Sequence, residues 1–134
     1  MNVADTSVVV AGFAPWHPDH EASRRASDSC RALIAHVALE SYSVLTRMPA
    51  SGRADPLLVA EYLRTNFPNP RLRIPARMER DLVSVLARAG ISGGATYDAV
   101  VAISAREGGA RLLTRDRRAL PTYEALGVEV EFVE

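Results

Sequence analysis

Gly108-Gly109-Ala110-Arg111-Leu112-Leu113-Thr114-Arg115-Asp116, or GGARLLTRD, puts a helix stop, a strand and an acidic turn into one short stretch, and its reading decides the fold. The paired glycines end the helix before them, because a residue without a Cβ enters the left-handed region at little steric cost. Ala110 to Leu113 is the clearest strand of the chain, and it runs into Thr114-Arg115-Asp116. Upstream, Thr96 is placed to cap a helix whose Ala99, Val100, Ala102 and Ile103 are apolar. Downstream, a short helix or turn from Arg118 to Leu126 leads through Gly127 to a last strand, Val128 to Val133. There Val128, Val130 and Phe132 alternate with acidic residues. Helix, strand, helix and strand in this order argue for parallel strands joined by helical crossovers.

The first half of the chain repeats the alternation. Asn2 to Ala4 reads as a short strand entering a helix at Ser7 to Phe13, with the capping types Asp5, Thr6 and Ser7 at the junction. Pro15 and Pro18 break the chain before a polar helix, His20 to Ser29, whose Ala and Ser positions face inward. Arg31 to Ala35 reads as a second strand. The helix after it, from about His36 to Met48, carries an apolar stripe of Val37, Ala38, Tyr42, Leu45 and Met48. Asp55 followed by Pro56 starts a helix that Pro68 and Pro70 terminate after Phe67. Leu72 to Ile74 reads as a third strand, and Pro75 opens a helix through Met78, Leu82, Val85 and Leu86 that stops at Gly90. The expected architecture is a three-layer α/β/α sandwich with a mostly parallel central sheet, a single domain over residues 1–134.

Composition narrows the function classes. With 134 residues, 48% hydrophobic and 24% charged, the chain falls among ordinary globular domains. No apolar stretch approaches the roughly 20 residues that span a bilayer, and Asp5 sits where a signal peptide would need basic residues, so no membrane association and a cytoplasmic location are expected. Cys30 is alone and reads as a small buried hydrophobe. All 16 basic residues are arginine, which excludes lysine-dependent chemistry.

Asp5, Glu40, Asp98 and Asp116 each stand where an apolar run gives way to a turn or a helix start. In open α/β folds the crevice beyond the carboxyl ends of the strands binds ligands, and a helix returning across the sheet begins at that same edge. Asp5 and Asp116 follow strands directly, whereas Glu40 and Asp98 lie in the early turns of helices. All four are therefore expected on one rim. Carboxylates so crowded raise one another's pKa unless a cation neutralises them. Oxygen ligands without a His or Cys cluster suit Mg²⁺ or Mn²⁺, and such an ion can activate water and stabilise charge on phosphoryl oxygens. The hydroxyls of Ser7 and Thr114 stand beside the acids and are placed to orient them. Arg115, Arg117 and Arg118 surround Asp116, a candidate basic lip for a polyanionic substrate.

Along nearly its whole length the chain resembles the PIN-domain ribonucleases, in particular the VapC-type toxins of bacterial toxin–antitoxin pairs. The matching segments are VADTSVVV (3–10), ALESYSVLTR (38–47), TYDAVVAISARE (96–107) and LLTRDRRALPTYEALGVEV (112–130), and each holds one of the four acids. The resemblance implies a PIN-like fold in which Asp5, Glu40, Asp98 and Asp116 bind Mg²⁺ or Mn²⁺ and cleave RNA. It also implies homodimerisation and inhibition by a small cognate antitoxin. The alternative class is a non-catalytic PIN-like module that holds RNA or a protein partner. Two other families fit poorly: a haloacid-dehalogenase-type phosphatase wants a second Asp where Ser7 stands, and a response-regulator receiver needs an absent lysine. His17 and His20 are separated by Pro18 and read as an exposed loop, Trp16 as its packing anchor, and His36 as a capping or core residue.

Overall fold

Asp5 ends one element and begins the next. In the computed structural model, which describes Met1–Glu134, strand β1 (Asn2–Ala4) passes at Asp5 into helix α1 (Thr6–Phe13), and the Asp5 side chain caps that helix by accepting from the Val8 N–H. Helices α2 (His20–Asp28), α3 (Ala35–Thr46) and α4 (Pro56–Asn66) follow. Asp55 caps the last of these through the Leu57 N–H, with Pro56 in its first turn. Two short helices, α5 (Ala76–Glu79) and α6 (Leu82–Arg88), precede α7 (Ala95–Glu107). Strand β2 (Arg111–Thr114), helix α8 (Leu120–Ala125) and strand β3 (Val130–Phe132) complete the chain.

The three strands form a parallel sheet in the order β1-β2-β3. Ala4 pairs with Leu113, so the next residues along each strand, Asp5 and Thr114, become neighbours at the carboxyl edge. Leu112 and Leu113 in β2 are buried, as is Val3 in β1, and helices α1 and α7 both pack against β2. This is the layered, parallel α/β architecture that the alternation of elements predicts.

The two weakest strand expectations are corrected. Residues 31–35 and 72–74 form no ladder; they share one isolated parallel bridge, Ile34 with Leu72, and a second joins Asn2 to Cys30 just before the first segment. The Leu72 N–H still donates to the Leu33 carbonyl at 2.9 Å and the Ala35 N–H to the Leu72 carbonyl at 2.7 Å, so the two segments continue the sheet's direction past β1 without regular pairing. Pro68, Pro70 and Pro75 crowd the outer segment, and a residue without an N–H cannot extend a ladder. Asp116 accordingly follows the second strand of the sheet rather than a fourth.

Three helix expectations also shift. The helix read from Pro75 to Gly90 breaks at Arg80-Asp81, where Asp favours a cap over a helix interior. Helix α7 starts at Ala95, so Thr96 lies within its first turn and does not cap it. In α3 the buried residues are Val37, Ser41 and Leu45 at a spacing of four, which leaves Tyr42 at the surface.

Candidate active site

The backbone register that joins Asp5 to Thr114 is reinforced by side chains. Asp5 Oδ1 accepts from Ser7 Oγ at 2.5 Å and, at 3.4 Å, from the Val8 N–H. Its Oδ2 accepts from Thr114 Oγ1 at 2.5 Å and from the Tyr123 hydroxyl at 2.9 Å. Both alcohols are themselves held by the turn after β2: the Arg115 N–H donates to Ser7 Oγ and the Asp116 N–H to Thr114 Oγ1, each at 2.9 Å. Asp5 is only 3% exposed, and burial raises its pKa against the opposing pull of these four donors.

The other three acids lie around the same cavity of about 280 Å³, which Asp5, Glu40, Asp98 and Asp116 all line. Asp98 projects from the first turn of α7 and stands 3.7 Å from an Arg118 guanidinium nitrogen. Asp116 accepts from the Arg118 N–H and from its guanidinium, both at 3.0 Å. Glu40, in the second turn of α3, has an oxygen 3.3 Å from His36 Nε2. Burial raises the pKa of Asp98; Arg118 opposes the shift, and Asp116, Glu40 and Asp5 add to it.

The four predicted acids thus share one cavity, but not one coordination point. No three His, Cys, Asp or Glu side chains are grouped closely enough to hold an ion as they stand. Each carboxylate instead has a protein donor or cation beside it. The donor set still fits a hard divalent cation: every candidate ligand is oxygen, and a cation would offset both the burial that chiefly raises the Asp98 pKa and the carboxylates that add to it. The Thr6 hydroxyl, at the cavity wall, is buried without any hydrogen-bond partner.

The PIN domain family model matches residues 3–125. Ribonuclease VapC40 of Mycobacterium tuberculosis is 51% identical over 133 residues, covering 99% of both chains. Ribonuclease VapC27 of the same species is 42% identical over 94% of this chain and 92% of its own. This chain belongs to the PIN-domain family, among the VapC ribonucleases. Solved structures agree with this fold at the level of backbone. FitAB bound to the IR36 DNA fragment superposes with a TM-score of 0.69 at 18% identity, covering 98% of this chain and 94% of that one. FitAcB from Neisseria gonorrhoeae gives 0.67 at 19%, covering 97% and 96%.

Within this PIN domain the arginines divide. Arg115 does not form a free lip: it is paired with Asp19 at 2.9 Å, donates to the Val133 carbonyl and is largely buried. Arg117 lies 4.0 Å over the Phe132 ring. Only Arg118 of the three lines the acidic cavity, where it is 71% exposed and faces Asp98 and Asp116.

Three cavity residues escaped the sequence reading. Tyr123 sits in a six-residue helix too short for a periodic signal. Tyr97 precedes Asp98 on α7, stacks on His36 at 5.3 Å and is 57% exposed. Thr6 carries no sequence signal beyond that of a capping type. His36 is correspondingly neither cap nor core: it lies at the mouth of the site between Glu40 and Tyr97.

Proposed function

We propose that this protein is a Mg²⁺- or Mn²⁺-dependent endoribonuclease acting as the toxin of a toxin–antitoxin module. The observation that carries the reading is the single cavity lined by Asp5, Glu40, Asp98 and Asp116 at the carboxyl edge of a parallel sheet. Asp5, Glu40, Asp98 and Asp116 hold the cation, and Ser7 and Thr114 keep Asp5 in place. When bound, the cation supplies a nucleophile at neutral pH and withdraws charge from the scissile phosphodiester. Arg118, beside Asp98 and Asp116 at the cavity wall, would be the cation offered to a phosphate oxygen once a bound metal neutralised those two acids, a role that suits its planar donors. The exposed ring of Tyr97 at the cavity wall offers a stacking face to an unpaired base.

Residues 1–134 act as one PIN domain that pairs with a second copy of itself and is silenced by a small cognate antitoxin. No helix is long and apolar enough to cross a membrane. A non-catalytic PIN module would have no need of four carboxylates around one cavity, which favours the enzyme. Incubating the purified protein with RNA, with and without Mg²⁺ or Mn²⁺, tests the proposal. Cleavage should need the metal and disappear in Asp5→Asn; cleavage that persists in chelator would reject it.

A further inference from the structure

Three hydroxyls converge on Asp5, and they are not equivalent. Ser7 and Thr114 each accept a backbone N–H from the turn after β2 while donating to the carboxylate, so they tie β1 to β2 whatever else they do. The Tyr123 hydroxyl has Asp5 as its partner and no second one. It arrives from α8, more than a hundred residues away in sequence, and its ring is 2% exposed yet borders the acidic cavity.

The carboxylate plane of an aspartate is a soft, roughly two-fold rotor. Donors from α1 (Ser7), the end of β2 (Thr114) and α8 (Tyr123) approach Asp5 from three separate elements, and three such points define the plane. A phenol is also a better donor than an alcohol, since it is several orders of magnitude more acidic. Hydrogen-bond partners of a ligating carboxylate typically govern metal affinity by about 10–100-fold.

We propose that Tyr123 is a positioning residue that holds the Asp5 carboxylate in the orientation required to bind the divalent cation. The proposal rests on the metal-dependent reading above. Tyr123 does not touch substrate; it acts through Asp5, and its effect is on cation binding before any chemistry.

Tyr123→Phe removes only the hydroxyl, keeps the buried ring and strips no other hydrogen bond. Mn²⁺ is titrated into the RNA-free full-length protein by calorimetry. Cleavage of a single-stranded RNA oligonucleotide that the parent cuts is then followed against Mn²⁺ concentration. A circular-dichroism spectrum matching the parent establishes that the variant is folded at the assay temperature. The Mn²⁺ Kd should weaken by about 10-fold, and the half-activating Mn²⁺ concentration should move with it. Saturating Mn²⁺ should restore kcat to within about 3-fold of the parent, a rescue that a general loss of structure would not allow. An unchanged or tighter Mn²⁺ Kd overturns the proposal, as does a fall in kcat that excess metal does not repair. A parent that binds no Mn²⁺ removes the metal reading itself, whereas a parent and variant that bind Mn²⁺ equally remove only the role of Tyr123.

Discussion

The two ends of the acidic cavity are built differently. At one end Asp5 is buried, its oxygens accept from three hydroxyls and a backbone N–H, and two of those hydroxyls are pinned by backbone amides. At the other, Asp116 and Asp98 share an exposed Arg118 guanidinium at 3.0 and 3.7 Å. A buried polar network costs little only if every member is satisfied, and so it is rigid. An exposed ion pair is worth about 0–1 kcal/mol and exchanges partners readily. The Asp5 end is therefore the fixed part of the cavity and the Arg118 end the part freer to rearrange, and on the proposed reading it is the Arg118 end that would give way to a cation and a phosphate.

The largest effect expected is at Asp116. Since partners of a ligand alone govern about 10–100-fold in metal affinity, removing a ligand in Asp116→Asn should lower cleavage by at least about 100-fold. RNA affinity should hold or tighten, because an anion next to a polyanion is lost. Gel-shift titration beside a cleavage assay measures both, and an Asp116→Asn protein that still cuts RNA would take this residue out of the site.

Next comes the rigid end. Thr114→Val strips the Asp116 N–H of its acceptor and leaves Asp5 Oδ2 with the Tyr123 hydroxyl as its one remaining donor, at a position where Thr114 is fully buried. It should cost about 1–3 kcal/mol in urea unfolding. Arg118→Ala, at the exposed end, should change stability by no more than about 1 kcal/mol. Equal costs at the two ends would erase the distinction between them.

Arg118 should matter instead to binding. Its loss should flatten the salt dependence of RNA affinity by about 0.7 units of log–log slope, the value for one phosphate contact on a single strand. Arg117→Ala, whose guanidinium lies on Phe132, should leave that slope unchanged. The same flattening in both variants would mean that the lip is broader than the cavity wall.

The smallest effect concerns pH. Asp98 has a raised folded-state pKa, so in the metal-free protein the native state binds the extra proton. Stability should then fall as pH rises from the unfolded value of 3.8 through the raised one, and the penalty should be fully present above it. Asp98→Asn should accordingly raise the metal-free Tm by a few degrees at pH 7 and by less at acidic pH, while Mg²⁺ or Mn²⁺ should raise the Tm of the parent. Differential scanning fluorimetry across pH decides it, and a lower Tm in the variant at pH 7 would contradict the repulsion argument.

The alternation of helices and strands, the caps at Asp5 and Asp55, and the four acids were legible in sequence because each depends on local chemistry: a period, a capping side chain, or an acid at an element boundary. Residues 31–35 and 72–74 carry a strand-like pattern without forming strands, because an apolar run shows burial, whereas ladder pairing depends on the neighbour. The proline-crowded outer segment offers too few N–H groups to pair. The arginines around Asp116 were visible as charges, but their directions were not. Asp19 and Phe132, distant in sequence or on another strand, draw Arg115 and Arg117 away and leave Arg118 in the cavity.

The sequence by itself determined the α/β class, through its periodicity, and the placement of four acids at element boundaries, while its motifs carry the resemblance to the family. Tertiary structure alone decided that β1 and β2 pair in the register that sets Asp5 beside Thr114, and that α8 folds back to bring the Tyr123 hydroxyl onto the same carboxylate. The physical reason is range: a cap or a stripe is fixed by residues three or four apart, whereas a hydrogen bond across 118 positions exists only once the sheet and its helices have packed.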